Sequence, residues 1–302
     1  MKRFTKVCLV LGILLLVSGA ALGGVSYGLG VEKDIRSAMN PPAPEMEEIT
    51  IPGAELGRLE IGLISDDVTV EASKDGDAHI RYPVSEEYRY ALQTEEGKIR
   101  GQDQCVFQAE ALERQGAFRL QVSLFWQDGP DVTVALPANY AGELQIRTVS
   151  GDVAVRGITA GKSAVDTDSG DLLLSDAVIS GKIDISSTSG DVTLRNLQMG
   201  SDCTVKTTSG DIRTSGGTFT RYHVSTTSGD VRTEEVGSAE WMHLQTISGD
   251  VTVRSSTITE LECKTISGDL AVRDDDRIGS YQCSTTSGEV TTDGSVDPSL
   301  DD

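Results

Sequence analysis

Hydrophobic and polar residues alternate along most of the chain, and a polar triplet interrupts this alternation at a fixed interval. The stretch "KTTSGDIRT", residues 206–214, shows the arrangement on both sides of Ser-Gly-Asp. Seven such triplets and a final Ser-Gly-Glu triplet occur, and the serines of these eight triplets are 19 or 20 residues apart. A fixed period of this length is typical of a solenoid or another repeat array. The triplets are Ser150, Gly151 and Asp152; Ser169, Gly170 and Asp171; Ser189, Gly190 and Asp191; Ser209, Gly210 and Asp211; Ser228, Gly229 and Asp230; Ser248, Gly249 and Asp250; Ser267, Gly268 and Asp269; and Ser287, Gly288 and Glu289.

The residues that flank the triplets fall into columns when the repeats are aligned on the serine. An aliphatic residue or a cysteine stands four positions before the serine, a threonine or serine stands two before it, and an aliphatic residue stands three after it. Residues two positions apart share one face of a strand, and no apolar set recurs at helical spacing. Each repeat is therefore predicted to be a strand, a tight corner, a second strand and a return.

The period also predicts how the repeats stack. About 20 residues per turn suits one coil of a parallel β-helix, in which each strand pairs with its equivalent one coil further on at roughly 4.8 Å. Because parallel crossovers are overwhelmingly right-handed, the sequence predicts an all-β, right-handed parallel β-helix. We expect the aliphatic columns to stack inside and the threonine hydroxyls to hydrogen-bond from coil to coil.

The corner triplet itself has a predicted structural role. Its glycine is expected to supply a backbone angle that a residue with a Cβ would adopt only under strain. Its aspartate is expected to accept hydrogen bonds from free amides of the turn. The triplets are thus interpreted as structural corner residues.

The pattern is weaker before the first triplet. Residues 59–70, "LEIGLISDDVTV", match the template as a degenerate earlier repeat. Residues 46–140 otherwise break the period, and we predict an irregular β region that caps the start of the solenoid. Residues 141–293 are predicted to form eight coils, and the acidic tail at 294–302 would blunt an exposed sheet edge.

The N-terminus predicts export. Basic "MKRFTK" precedes an uncharged run at residues 7–31, which is long enough to cross a hydrocarbon core of roughly 30 Å. We predict a cytoplasmic stub and transmembrane anchor at residues 1–31 and a stiff linker at 32–45, with the repeats outside the cell. The alternative is a signal peptide cleaved near "SGAALG", which would also export the rest of the chain.

Charge and cysteine content exclude several classes of function. The chain has 302 residues and a net charge of −21. Nucleic-acid binding needs a basic face to contact phosphates, so we expect no nucleic-acid partner. Five cysteines with no CxxC pair predict neither a zinc site nor a disulfide-built miniprotein.

The acidic column of the triplets, Asp152 to Glu289, suggests one candidate site. Carboxylates are the usual ligands of calcium, so this edge could bind the cation. The alternative is corner capping, with the repulsion between carboxylates screened by solvent and salt. We prefer capping, because the glycine-rich nonapeptide of calcium-loaded β-rolls is absent, and we expect no cofactor.

Two further columns contain residues that can bind metals or form disulfides. His223, His243 and Glu262 should stack outward on three successive coils, and such a set could hold zinc, although a solvated polar face is the preferred interpretation. Cys263 and Cys283 share an inward column at a distance that would permit a disulfide. Because in-register side chains point the same way, buried free thiols are preferred.

Aromatic and basic residues give little support for other chemistry. The aromatic residues could form a sugar-stacking platform, but two of the tyrosines fall in an inward column, so packing is the preferred interpretation. Four arginines are dispersed over one outward column instead of lining an acid-base groove, and GxSxG is missing, so no enzymatic activity is expected. The aromatic residues are Trp126, Trp241, Tyr222 and Tyr281, and the arginines include Arg156, Arg195, Arg254 and Arg273.

The combination of segments resembles a known family. The N-terminal "KRFTKVCLVLGILLLV", the early "LEIGLISDDVTVEAS", the strand "DVTVALP" and the ladder of "TTSGDV" units are similar to the bacterial putative-adhesin family with β-strand repeats, a domain of unassigned biochemistry common in Firmicutes. The resemblance covers nearly all of residues 46–293. It implies a β-solenoid at the cell surface and brings no catalytic residues.

We therefore expect a non-catalytic, membrane-anchored extracellular module. Its partner would be an envelope polymer or a surface protein, bound by the flat faces of the solenoid. The alternative is an accessory or sensor of envelope-stress signalling, in which the solenoid serves as a rigid spacer, a role proposed for some members of the resembling family.

Overall fold

The structure is a computed structural model that describes residues 44–84, 88–99, 102–111, 131–273 and 277–293. The predicted anchor at 1–31, most of the linker and the tail at 294–302 lie outside these residues. The described part is all β, and no helix within it is long and apolar enough to cross a membrane.

Twelve strands form the first sheet, here called sheet A, which contains the strand after each corner. Its central strands pair in parallel, each with its equivalent one coil on. In spatial order the strands are β1 (Met46–Ile51), β4 (Ala78–Pro83), β7 (Val132–Leu136), β3 (Val68–Ala72), β9 (Val153–Arg156), β12 (Leu172–Ser175), β15 (Val192–Arg195), β18 (Ile212–Ser215), β20 (Val231–Glu234), β22 (Val251–Arg254), β24 (Leu270–Arg273) and β26 (Val290–Thr292).

Fourteen strands form the second sheet, sheet B, which contains the strand before each corner. Short return strands occupy a third side in the early coils, and in the later coils the return and the main strand are continuous. The strands are β2 (Leu56–Gly62), β5 (Tyr88–Ile99), β6 (Gln102–Ala111), β8 (Glu143–Thr148), β10 (Thr159–Ala160), β11 (Lys162–Thr167), β13 (Val178–Ile179), β14 (Ile183–Ser187), β16 (Gln198–Met199), β17 (Asp202–Thr207), β19 (Thr218–Ser225), β21 (Ser238–Gln245), β23 (Ile258–Ser267) and β25 (Ile278–Ser287).

The repeats stack as a parallel β-solenoid of about seven turns with about 20 residues per turn. The period of the sequence is the period of the coil, because Val165 pairs with Ile146 on one side and with Ile185 on the other. The degenerate repeat stacks beneath the first triplet, where Leu59 pairs with Leu144 and Val68 with Val153. The prediction of an all-β parallel β-solenoid with this repeat length is therefore confirmed.

Among the described strands, antiparallel pairs occur only in the N-terminal part. Strand β4 lies between β1 and β7, antiparallel to both, and β5 pairs antiparallel to β6. Strand β6 in turn extends sheet B beyond β2. These strands extend both sheets beyond the degenerate repeat.

A single hydrophobic core runs along the solenoid. The inward positions of both sheets are buried, with Ile146, Val205 and Leu244 from sheet B facing Val153, Ile212 and Val251 from sheet A. Alternate positions on the same strands point to solvent. The outward columns are therefore the surfaces available for function.

Candidate functional site

The corner glycines are required by close packing and not by backbone angle. Only Gly268 among the eight has a positive φ, so the predicted need for a strained angle is wrong for this corner. A Cβ built on Gly229 would instead lie well inside van der Waals contact with the backbone carbonyl of Gly210, one coil earlier. The same overlap recurs along the column, so each glycine allows the next coil to approach its neighbour.

Each corner aspartate accepts a hydrogen bond from the next coil. Oδ1 of Asp152 accepts the backbone N–H of Asp171 at 2.8 Å, and Oδ1 of Asp230 accepts that of Asp250 at 2.9 Å. This contact recurs from Asp67 to Glu289. The acceptor role agrees with the prediction, although the donor belongs to the next coil. Within the described residues, no group of three or more His, Cys, Asp or Glu is arranged to hold a metal.

The buried threonines bond to the corner backbone. Oγ1 of Thr246 donates to the carbonyl of Gly229 at 3.0 Å, and Oγ1 of Thr265 donates to that of Gly249 at 3.0 Å. These bonds run from coil to coil as expected, and their acceptor is the glycine carbonyl one coil earlier. In the described part of the chain, Thr167 Oγ1 and Ser187 Oγ of the same column have no hydrogen-bond partner. The bonds of the carboxylates and of these threonines join the corners of neighbouring coils, in agreement with the interpretation of the triplets as structural residues.

A second corner, seven residues after each serine, was missed by the sequence analysis. Its residues have φ values from 48° to 68°, which is the left-handed region that favours glycine and asparagine. The signal was a column rich in Gly, Asp and Asn. Its described members are Gly157, Asp176, Asn196, Gly216, Glu235 and Ser255.

The predicted histidine column is in register and forms an aromatic patch on the outward face of sheet B. His223 pairs with His243, and His243 with Glu262. The two imidazoles lie nearly parallel with ring centroids 4.9 Å apart, and the indole of Trp241 lies 5.6 Å from His243 at 14°. We call these four residues, His223, Trp241, His243 and Glu262, the Trp241 patch.

Burial and charge set the protonation of the patch. Desolvation lowers the pKa of His223, and positive charge at His243 and Lys206 lowers it further. The side chain of His243 is 13% exposed, and its Nδ1 lies 2.8 Å from Oε2 of Glu262. His223 is therefore neutral at pH 7, while His243 contacts a carboxylate.

The patch geometry does not suit metal chelation. Near-parallel rings at 4.9 Å do not direct two nitrogen lone pairs at one point, as a zinc ion would require. The rings present their edges outward, next to the ion pair in which Arg221 Nε lies 2.7 Å from Asp202 Oδ1. Such a surface offers apolar area together with hydrogen-bond donors and acceptors.

The other candidate aromatic residues do not join this patch. Tyr222 is fully buried and hydrogen-bonds to Thr214, and Tyr281 is 7% exposed. Trp126 lies outside the described residues. Tyr222 and Tyr281 are therefore too buried to form a sugar-stacking platform. Of the three described candidates, Trp241 is the one that is partly exposed.

Cys263 and Cys283 are paired in register and are buried free thiols. The Cys263 thiol donates a hydrogen bond to the Cys283 sulfur, and this bond together with burial raises the pKa of Cys263 well above its ordinary value. The pair sits in the core of the last coils, where it contributes to packing.

Comparison with known proteins identifies the family. Residues 56–293 match the family model described as Toastrack DUF4097. The chain belongs to this family. A search of the curated proteins gave no match. The family description of Toastrack DUF4097 names neither a ligand nor a reaction.

Three crystal structures are similar to this Toastrack chain. A putative adhesin from Bacteroides fragilis is 14% identical, with 83% of this chain and 98% of that chain covered and a TM-score of 0.47. A putative cell adhesion protein from Clostridium sporogenes is 8% identical, with 83% and 99% covered and a TM-score of 0.30. A putative lipid binding protein from Parabacteroides distasonis is 13% identical, with 84% and 96% covered and a TM-score of 0.41.

Proposed function

We propose that this Toastrack chain is a non-catalytic surface binding module, carried outside the cell by a membrane anchor at residues 1–31. The partner is an envelope polymer or a surface protein. We also propose the right hand for the solenoid, because parallel crossovers in one sheet are almost always right-handed. The uncharged run at 7–31 supports the anchor.

The Trp241 patch is the observation that carries the proposal. Indole and imidazole side chains combine large apolar area with polar edges, and such residues dominate binding energy in small, well-packed patches. The corner columns use their polar groups within the solenoid, whereas the patch projects from sheet B with part of Trp241 exposed. A partner that covers the indole would bury apolar area. The same partner could form hydrogen bonds with the imidazoles, so both contributions would favour binding.

A pull-down from envelope extract tests the proposal. The full-length chain in detergent and residues 46–302 alone are used as bait, each with calcium and with chelator. We expect both baits to capture the same polymer or protein, and Trp241→Ala to reduce capture at least tenfold. Ile247→Ala is the matched control, because it removes another exposed apolar side chain near the same strand.

Four outcomes would contradict the proposal. Capture that depends on residues 1–45 would place the binding function near the membrane, with the solenoid as a spacer. Equal loss with Trp241→Ala and Ile247→Ala would remove the patch from the binding surface. No capture by either bait would leave the module without the proposed partner, and loss of capture on chelation would instead assign binding to the acidic column.

A further inference from the structure

The outward face of sheet A has three columns of side chains that run along the solenoid axis. The first is the corner carboxylate column, the second lies two residues later, and the third lies four residues later at the end of each strand. Because positions two apart share a face, all three columns point the same way. Arg213 in the second column confirms this, since its Nη1 reaches Asp191 Oδ2 at 2.8 Å. We call this surface the sheet-A face.

The third column is rich in unpaired arginine. Glu234 and Asp293 are its acidic members among the eight repeats, and Ser175 and Ser215 are neutral. The four arginines are exposed, and none forms an ion pair with another described residue. They are Arg156, Arg195, Arg254 and Arg273.

The acidic and basic columns are parallel and in register. Each arginine lies four residues after the carboxylate of its own coil, which is about 13 Å along the strand. Neighbouring coils repeat both columns at roughly 4.8 Å. The sheet-A face therefore carries a negative stripe and a positive stripe side by side.

We propose that the sheet-A face binds a second copy of this chain, with a two-fold axis parallel to the solenoid axis. This rotation places the first column of one copy opposite the third column of the other. Each coil stays at the same position along the solenoid axis, so it faces the equivalent coil of the partner. The rotation places Arg254 opposite the partner's Asp250 and Arg273 opposite the partner's Asp269, and each pair occurs twice. Such an interface is isologous, as expected for a symmetric dimer.

A second copy fits this face better than a polyanion. A polyanion on the arginine column would lie about 13 Å from a continuous column of carboxylates, close to the Debye length at low salt. A second copy instead offers carboxylates to the arginines and arginines to the carboxylates.

The middle column permits the approach of two faces. It contains small or apolar residues at several coils, including Ala154, Leu173 and Ala271. Arg213 would face its own equivalent, but its charge is offset by Asp191 and by Asp211, whose Oδ2 lies 2.6 Å from Nη2. The remaining members include Thr193, Arg232 and Thr252, and Arg232 Nε lies 3.9 Å from Glu234 Oε1.

The size of the face predicts a weak dimer. Eight strands at roughly 4.8 Å and a width of about 13 Å give a footprint on the order of 450 Å² per copy, at the small end of specific interfaces. Exposed ion pairs of this kind are screened by salt. We therefore expect association that depends on protein concentration and is lost at high salt.

Sedimentation of the full-length chain in detergent tests this inference. At about 0.05 M salt we expect the protein mass in each complex to double as concentration rises, and at about 1 M salt, where the Debye length is about 3 Å, we expect one chain. Arg254→Glu with Arg273→Glu should abolish the doubling. Lys206→Glu with Lys264→Glu is the matched control, because it makes the same charge change on sheet B and should leave the doubling intact.

A second pair of variants tests the column pairing. Asp250→Asn with Asp269→Asn keeps an oxygen that accepts the amide of the next coil but removes the charge offered to the partner, so the doubling should weaken. Thermal unfolding confirms that each variant is folded. A single chain under all conditions, loss of the dimer in the lysine control, or a dimer unaffected by the two asparagines would each overturn the inference. Because these readouts need no envelope ligand, they are independent of the proposed binding function.

Discussion

At the scale of single residues, the corner glycine column gives a steric prediction. Gly229→Ala places a Cβ against the Gly210 carbonyl, so the two coils must separate. We expect a loss of roughly 1–3 kcal/mol in the free energy of unfolding, as for other overpacked sites, measured by urea titration. Gly76→Ala is the control, because no atom lies within 4 Å of its Cβ and its φ is not positive. An equal or larger loss for Gly76→Ala would contradict the steric explanation.

The second corner gives a prediction of opposite sign. Glu235 has a φ of 56°, which costs a residue with a Cβ about 1–2 kcal/mol. Glycine adopts this angle freely, so Glu235→Gly should raise the free energy of unfolding by up to about 1 kcal/mol, after the entropy that glycine adds to the unfolded chain. Urea titration measures the change. An unchanged or lower value would mean that the glutamate side chain makes a contact that offsets the strain.

The sequence shows which residues form the corners, but it does not show why those residue types are needed there. Repetition alone marks Gly229 and Asp230 as corner positions. It does not show that the Gly210 carbonyl lies beside Gly229, or that the amide of Asp250 bonds to Asp230, because both neighbours come from other coils. The period of the sequence predicts that His223 and His243 stack on neighbouring coils. It does not predict that the Trp241 ring packs beside His243, because that contact depends on the side-chain rotamer of Trp241.

At the scale of elements, strand β1 is held to β4 by a charged clasp. His79 on β4 places Nδ1 3.0 Å from Glu48 Oε1 on β1 and Nε2 3.0 Å from Asp75 Oδ1 in the preceding turn. The hydrogen bond to Asp75 raises the pKa of His79, and the same bond lowers the pKa of Asp75 to about 2. The clasp therefore needs a charged imidazole between two carboxylates.

The clasp predicts a pH dependence of stability. Because the pKa of folded His79 is raised, its contribution is fully present below the pKa of the unfolded chain and is lost as pH rises through the folded value. Thermal unfolding of the wild type should thus lose stability relative to His79→Gln across that window. The lowered pKa of His223 acts in the opposite sense, so His223→Gln is the matched control. A wild-type curve parallel to His79→Gln would contradict the clasp.

The elements differ in how far the sequence predicted them. Within the repeats, strand β11 and its neighbours follow the alternation and the period, because each pairs with its own equivalent. The N-terminal strands have no such equivalent. The antiparallel pairing of β1 with β4, and of β5 with β6, joins segments of unlike sequence, and local alternation does not specify a partner.

At the scale of the whole solenoid, the repeat makes the number of turns a variable. Each coil contacts only its neighbours, so stability is approximately a sum of coil and interface contributions. Deleting residues 190–209 joins Ser189 directly to Gly210 and removes one complete turn while keeping the Ser-Gly-Asp triplet. We expect a folded, cooperative protein, because Gly210 and Asp211 then occupy the places of Gly190 and Asp191 against the corner below.

Deleting only residues 190–199 is the control, since it removes half a turn and joins Ser189 to Gly200. The strands that follow would then meet the wrong sheet, and the glycine and carboxylate columns would be broken. Circular dichroism should show β structure and a sharp urea transition for the full-turn deletion, with a smaller dependence on urea because less surface is exposed. The half-turn deletion should lose the cooperative transition. Equal behaviour of the two deletions would mean that the coil is not the unit of stability in this chain.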